Sequence, residues 1–319
     1  MELIRGLHNL RPRHRGCVAT IGAFDGVHNG HRAVLGHVLE KSVELGLPSV
    51  VILFEPLPRE YFAPRQAPPR LMSFREKFDA LKALGIDRVL RVRFDEALRT
   101  MSAVEFISRI FVQGLGVRYV VVGDDLRFGH DREGDFALMK AEGERFGYQS
   151  MHTATLGISG TRVSSTRIRE ALENANFTLA EALLGRPYTI SGKVVYGDQR
   201  GRGLGAPTAN MELHRLRAPL SGVYVVEVEY EAGGFLIGPL PAVANVGTRP
   251  TVGEGFRANL EVHLLNFEGH LYGKRLAVTF REKIREEKKF DSLDDLQTQI
   301  HKDIAHGRKF FQLDSTNYE

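Results

Sequence analysis

Up to about residue 185 the chain alternates short apolar runs with longer stretches in which apolar residues recur every three or four positions. CVATI, SVVILF, RVLRVRF, YVVVGD and the stretch around MHTA have the length and composition of strands buried on both faces. Between them lie stripes at helical spacing, such as Val34, Leu35, Val38 and Leu39. Ser73 with Glu76, and Ser102 with Glu105, are capping-box pairs that predict helix starts. Buried strands separated by helices predict a parallel sheet with helices outside, an α/β class whose ligands bind beyond the carboxyl ends of the strands.

Beyond Gly185 the period changes. SGKVVYG, GVYVVEVEY, FLIGPLPAVANV, ANLEVHLL and KRLAVTFREKI follow at short intervals, with glycine-rich turns between them. Several alternate apolar and polar residues, as antiparallel strands with one wet face do, which predicts a small Greek-key or closed barrel. A last helix is predicted, capped by Ser292 and carrying a stripe of Leu293, Leu296, Ile300 and Ile304. The change of period divides the chain into two domains, 1–184 and 185–319, and no internal repeat is visible.

Composition narrows the function classes. With 319 residues, 43% apolar and 26% charged, the chain reads as globular and long enough for two cores. No apolar run approaches the roughly 20 residues of a membrane span, and MELIRGLHNLRPRHRG lacks the apolar core of a secretory signal. A single cysteine, Cys17, excludes an internal disulfide and fits the cytoplasm. A net charge of +4 without a Lys/Arg block does not indicate a dedicated nucleic-acid binder, and anionic small molecules such as nucleotides fit as well; no nucleic acid, membrane or obligate protein partner is expected.

The densest chemistry in the first half is IGAFDGVHNGHR. It leaves the first run and enters the first helix, where backbone N–H groups and the helix dipole collect phosphate. His28 and His31 flank Gly30, and imidazoles three apart across a helix start can donate to an α-phosphate during nucleotidyl transfer. A turn with two surface histidines is the alternative, and the spacing is not the GxGxxG of a dinucleotide site. Gly22, Phe24, Asp25 and Gly30 of this loop are candidate nucleotide contacts. So are Asp124 and Arg127 in VVVGDDLRFGHDREGD, and Ser164, Ser165, Thr166 and Arg167 in ISGTRVSSTRIREAL. That last cluster reads either as helix caps or as a triphosphate clamp.

In the second half, GDQRGRGLGAPTANM gives a loop of Gly197, Gly201, Gly203 and Gly205 that can wrap a nucleotide, without the GK[ST] ending of a P-loop. Thr208 and Asn210, two apart, would direct two hard oxygens the same way, as a magnesium site needs. In ANLEVHLL, Asn259, Glu261 and His263 share one strand face. Glu261 there is either solvated surface or the base for an attacking alcohol.

HNGH with SSTRIR resembles the nucleotidyltransferase superfamily carrying HxGH. IGAFDGVHNGH, LFEPLPREYF, VVVGDDLRFG and SSTRIREAL together resemble the FAD synthetase half of the bacterial bifunctional riboflavin kinase/FAD synthetases. PTAN, ANVGTRPTVGE, LEVHLLNF, LYGKRLAVTF and REEKKFDSLDDL resemble their riboflavin kinase half. The resemblance spans nearly the whole chain. It departs at Ala23, Leu57 and Ala206, where relatives commonly have Asn, His and Phe. It implies a Rossmann-like nucleotidyltransferase domain followed by a six-stranded antiparallel barrel with a C-terminal helix. It also implies ATP and flavins (riboflavin, FMN, FAD) as substrates and products, and Mg2+ as cofactor. By the same resemblance, Thr208 and Asn210 become magnesium ligands, Glu261 the base for the riboflavin 5′-hydroxyl, and Arg285 a flavin contact. Two rival readings stand beside this one: a nucleotidyltransferase for another phosphate ester with a barrel that only binds, and a non-enzymatic RNA-binding or regulatory protein.

Overall fold

The structure is a computed structural model that describes residues 1–158, 160–196, 206–250 and 256–313. Two compact units are present: Met1–Pro68 with Lys77–Ser164, and Pro69–Glu76 with Ser165–Glu319.

In the first unit, β1 (Glu2–Arg5), β2 (Val18–Ile21), β3 (Ser49–Glu55), β4 (Arg88–Arg93), β5 (Tyr119–Gly123) and β6 (Gln149–Thr153) form one sheet in the order β1-β4-β3-β2-β5-β6. Every pairing is parallel. Five strands coincide with the apolar runs; β1 was not foreseen, because four residues with only Ile4 buried carry almost no pattern. The helices are α1 (Asn29–Leu45), α2 (Pro58–Phe62), α3 (Phe74–Ala83), α4 (Glu96–Arg99), α5 (Ala103–Phe106), which runs on in π-helical turns to Gly114, and α6 (Phe136–Phe146). Alternation along β2 feeds two cores. Val18 packs with Val34, Val38 and Val121, whereas Ala19 and Ile21 join Val50, Ile52, Phe106 and Ile110. Both predicted caps form: the Glu76 N–H donates to Ser73 Oγ at 3.4 Å, and the Glu105 N–H to Ser102 Oγ at 3.2 Å.

From β2 the chain steps outward through β3 to β4, then returns to lay β5 against the other side of β2. The connections leaving β2 and β5 therefore diverge, opening a crevice at their carboxyl ends. A short hairpin, β7 (Gly157–Ile158) with β8 (Thr161–Arg162), follows β6.

The second unit opens with α7 (Ser165–Glu173) and α8 (Phe177–Leu184). Then β9 (Thr189–Val195), β10 (Ala209–Glu212), β11 (Gly222–Ala232), β12 (Phe235–Pro250), β13 (Phe256–Leu264) and β14 (Arg275–Arg285) close into an antiparallel barrel ordered β10-β13-β12-β11-β14-β9. Closure leaves no sheet edge to protect. Helix α9 (Leu293–Phe310) packs Ile304 on Val223, Val243 and Leu265. Its predicted stripe fails at Leu293, which is 72% exposed. The buried positions are Asp303 and Gly307, because α9 is anchored by an ion pair and by close approach. A Cβ on Gly307 would stand 2.6 Å from Val243, and Asp303 receives the guanidinium of Arg285.

The segment Pro69–Glu76 is held within the second unit by polar contacts. Arg215 donates to the carbonyls of Arg70 and Leu71, both at 3.2 Å, and Tyr188 Oη donates to the Leu71 carbonyl at 3.1 Å.

Candidate active sites

The loop after β2 is built around unusual backbone. Phe24 (φ 45°) and Val27 (φ 42°) both lie in the left-handed region, which is costly for a bulky or β-branched residue. Phe24, Asp25 and Val27 are buried. This loop delivers His28 as the N-cap of α1, its Nδ1 accepting the N–H of His31 at 3.2 Å. The two imidazoles stack with centroids 3.6 Å apart and planes 15° apart, and the ring of Phe24 lies 5.1 Å from that of His31.

Burial pushes His31 well below the usual histidine range, helped by His28 and by the positive charge of Lys77. The ring is therefore neutral at pH 7, and its Nδ1 is buried with no hydrogen-bond partner among the described residues. This pair of stacked rings at the start of a 17-residue helix, with His31 neutral, presents N–H donors and a positive dipole end, which suits stabilisation of charge developing on a phosphoryl group.

Gly30 is needed for this packing: a Cβ there would sit 3.2 Å from Cε1 and Nδ1 of His28 and 3.6 Å from the Val163 carbonyl. The same contact brings the chain beside Ser164 to the first turn of α1. Ser165, Thr166 and Arg167 open α7, in the second unit. Asp124 accepts a hydrogen bond from Thr155 Oγ1, with Arg162 3.9 Å away, and Arg162 also pairs with Asp125. Arg127 stands 3.4 Å from Asp135.

Beside this loop, at the carboxyl ends of β2 to β5, lies a cavity of about 530 Å³. Gly22, Ala23 and Leu57 line it, with Phe54, Phe62, Phe94, Phe106 and Phe128 giving an aromatic wall and Arg59, Arg99, Arg127 and Arg132 a basic rim. Phe54 stands 5.9 Å from Phe94, and Phe106 5.6 Å from Phe128, in edge or tilted contacts. The sequence reading missed this wall. Its signal was a phenylalanine at or just beyond the end of β3, β4 and β5, three positions that only the sheet brings together.

In the second unit, strand register does the assembling. Asn210 on β10 is paired with Glu261 on β13, and Glu261 with Asn245 on β12. Asn259 donates to Glu261 Oε1 at 3.1 Å. Asn259, Glu261 and His263 are half-buried while Leu260, Val262 and Leu264 are buried, the two faces expected of ANLEVHLL. His263 Nδ1 lies 2.9 Å from the Pro207 carbonyl, and burial pushes its pKa down against the pull of that carbonyl.

Thr208 enters β10 half-buried and lines a cavity of about 880 Å³ with His263, Phe267, Tyr272, His301 and Arg308. Gly197, Gly201, Gly203 and Gly205 lie outside the described residues. Arg285 is engaged: Nε and Nη2 hold the Asp303 carboxylate at 2.8–3.1 Å, and Gln299 donates to the same carboxylate at 2.9 Å. Its guanidinium also lies 5.7 Å from the Phe290 ring.

Comparison with known proteins finds a family model for FAD synthetase matching residues 10–167 and one for riboflavin kinase matching residues 184–311. The chain is 52% identical over 308 residues to the bifunctional riboflavin kinase/FMN adenylyltransferase of Pseudomonas fluorescens, covering 97% of each chain. It is 50% identical over 314 residues to that of Escherichia coli strain K12, covering 98% of this chain and 99% of the relative. A crystal structure described as a macrolide-efflux protein from Streptococcus pneumoniae superposes with a TM-score of 0.74 at 29% identity, over 96% of this chain and 98% of its own.

Proposed function

The chain belongs to the family of bifunctional riboflavin kinase/FMN adenylyltransferases, and on that premise we propose how its residues divide the two reactions. It phosphorylates riboflavin with ATP to FMN, then adenylylates FMN with a second ATP to give FAD and pyrophosphate. Membership sets aside the readings in which the barrel only binds or the chain is not an enzyme. We assign adenylyl transfer to residues 1–184 and phosphorylation to 185–319, and place both in the cytoplasm. The cytoplasmic assignment is supported by the buried single thiol, and no helix among the described residues is long and apolar enough to cross a membrane.

For adenylyl transfer, the observation that carries the assignment is the stacking of His28 on His31 at the crevice between β2 and β5. A phosphate oxygen of FMN attacks the α-phosphorus of ATP, the new P–O bond forms, and pyrophosphate departs with the electrons of the broken bond. FMN is already an anionic nucleophile, so positioning and charge stabilisation suffice. His28 and His31 donate to the α-phosphoryl oxygens. Gly22, Phe24, Asp25 and Gly30 shape the approach, while Asp124, Arg127, Ser164, Ser165, Thr166 and Arg167 hold the nucleotide. The aromatic cavity takes the flavin ring, its apolar wall matching the isoalloxazine and its basic rim the phosphate.

For phosphorylation, Glu261 accepts the proton of the riboflavin 5′-hydroxyl as that oxygen attacks the γ-phosphorus and ADP leaves. The donor set fits magnesium. Thr208 and Asn210 offer neutral oxygens, and Asn210 stands opposite Glu261 in the barrel. When bound, magnesium supplies charge neutralisation on the phosphates. The 880 Å³ cavity beside Thr208 receives the nucleotide, together with the glycines at 197, 201, 203 and 205. Arg285, fixed by Asp303, presents its side chain to the flavin.

Chromatography of flavins tests the division. His31→Ala should abolish FAD formation and leave FMN formation, whereas Glu261→Ala should abolish FMN formation yet convert supplied FMN to FAD. If each folded single variant lost both activities, the two-site division would be wrong.

A further inference from the structure

Lys77 is wholly buried, and among the largest fully buried side chains described it alone is normally charged. Taking an ammonium out of water costs several kcal/mol unless partners replace the lost hydration. One partner is the carbonyl of Ala23, to which Nζ donates at 2.6 Å. Ala23 exposes its own side chain, so this residue turns its carbonyl inward while the next one, Phe24, takes a left-handed conformation. Strained backbone of this kind persists only where its surroundings over-determine it. A short charged hydrogen bond at the head of the loop is such a constraint.

We propose that Lys77 is a positioning residue for adenylyl transfer: its buried ammonium clamps the Ala23 carbonyl and so holds the strained loop that stacks His28 on His31. Full burial keeps Nζ away from substrate, so the effect runs through the loop. Its charge also helps keep His31 neutral, which removes a repulsion that would open the stack. This inference rests on the placement of adenylyl transfer at His28 and His31, and its first test is read without turnover, so the two can fail separately.

Ala23–Phe24 is the sole Ala–Phe dipeptide in the chain. Labelling alanine with 13C at the carbonyl and phenylalanine with 15N therefore isolates the Ala23 carbonyl by NMR. In the full-length protein that signal should shift in Lys77→Met and stay near the wild-type position in Lys77→Arg. The kcat for FAD formation should fall about 10- to 100-fold in Lys77→Met, with KM for FMN changed less than about threefold, as misplacement of reacting groups predicts. Riboflavin phosphorylation should be unchanged, and Lys77→Arg should recover most of the kcat. Coincident carbonyl signals in wild type and Lys77→Met would overturn the clamp. A shifted signal with undiminished kcat would overturn the positioning role, as would an equal loss of both activities. If Lys77→Met does not fold, Lys77→Arg decides alone: a displaced carbonyl with full kcat overturns the proposal.

Discussion

Replacing Glu76 by glutamine should destabilise the second unit severely while changing only an oxygen for a nitrogen. Glu76 accepts the N–H of Ser73 at 2.6 Å, the N–H of Ser191 at 2.7 Å, and Nη2 of Arg215. The paired side chains are 0% (Arg215) and 5% (Glu76) exposed. The remaining partners of Arg215 are the carbonyls of Arg70, Leu71 and Leu213, so the carboxylate is the anion that its charge is shown to meet. Glutamine removes that charge and forces its NH2 to face one of the N–H donors. Breaking a buried pair by removing one partner costs about 3–5 kcal/mol. At about 2–4 °C per kcal/mol for a unit of this size, the transition should move down by roughly 6–20 °C. Differential scanning calorimetry on the full chain reads this directly. The double variant Glu76→Leu/Arg215→Met should melt above the single one, because removing both charges leaves none buried alone. A Glu76→Gln transition within about 2 °C of wild type would refute the reasoning, since it would give the pair no more weight than an exposed one.

Three further outcomes are expected. His31 is held neutral in the fold, so the unfolded chain binds more protons once pH drops below about 6.5, and stability is lost on acidification from there at no more than about 1.4 kcal/mol per pH unit from this group. Urea midpoints at two pH values should therefore differ less in His31→Gln than in wild type; equal differences would assign the loss elsewhere. Gly30→Ala places a methyl 3.2 Å from the His28 ring and should lower kcat for FAD formation by about tenfold, with riboflavin phosphorylation as the internal control that must not change. Phe62 is 62% exposed at the cavity wall, so Phe62→Ala should barely move the melting temperature. Loss of one aromatic contact worth about 0.5–1.5 kcal/mol should raise KM for FMN roughly 2- to 13-fold, and an unchanged KM would remove the flavin from this cavity.

What was legible in the sequence is what local pattern encodes. Five of the six strands of the parallel sheet, the Ser73 and Ser102 caps and the two faces of ANLEVHLL all follow from spacing over a few residues. Their positions alone put His28 and His31 just beyond a strand end. The remainder depends on partners distant in sequence. Lys77 sits in FREKFDALKA, where a lysine reads as the wet face of an amphipathic helix, and only the Ala23 carbonyl reveals that it points inward. Glu76 was visible as a capping-box residue, but its pairing with Arg215 was not. Leu293 fits a stripe that α9 does not bury, because Asp303 and Gly307 fix the face that packs. Strand β10 was read as part of the nucleotide segment because its four residues, ANME, carry no alternation.

The segment Pro69–Glu76 has a consequence for synthesis. Glu76 leaves the ribosome 139 residues ahead of Arg215. At about 5–20 residues per second, this is a wait of roughly 7–28 s. During that interval the first sheet can complete itself, since its last strand ends at Thr153, while an eight-residue stretch in its midst stays hydrated and uncommitted. The barrel is thus the later-born partner of a segment already made. A gene cut between the two domains would yield a barrel with Arg215 and no Glu76 to receive it.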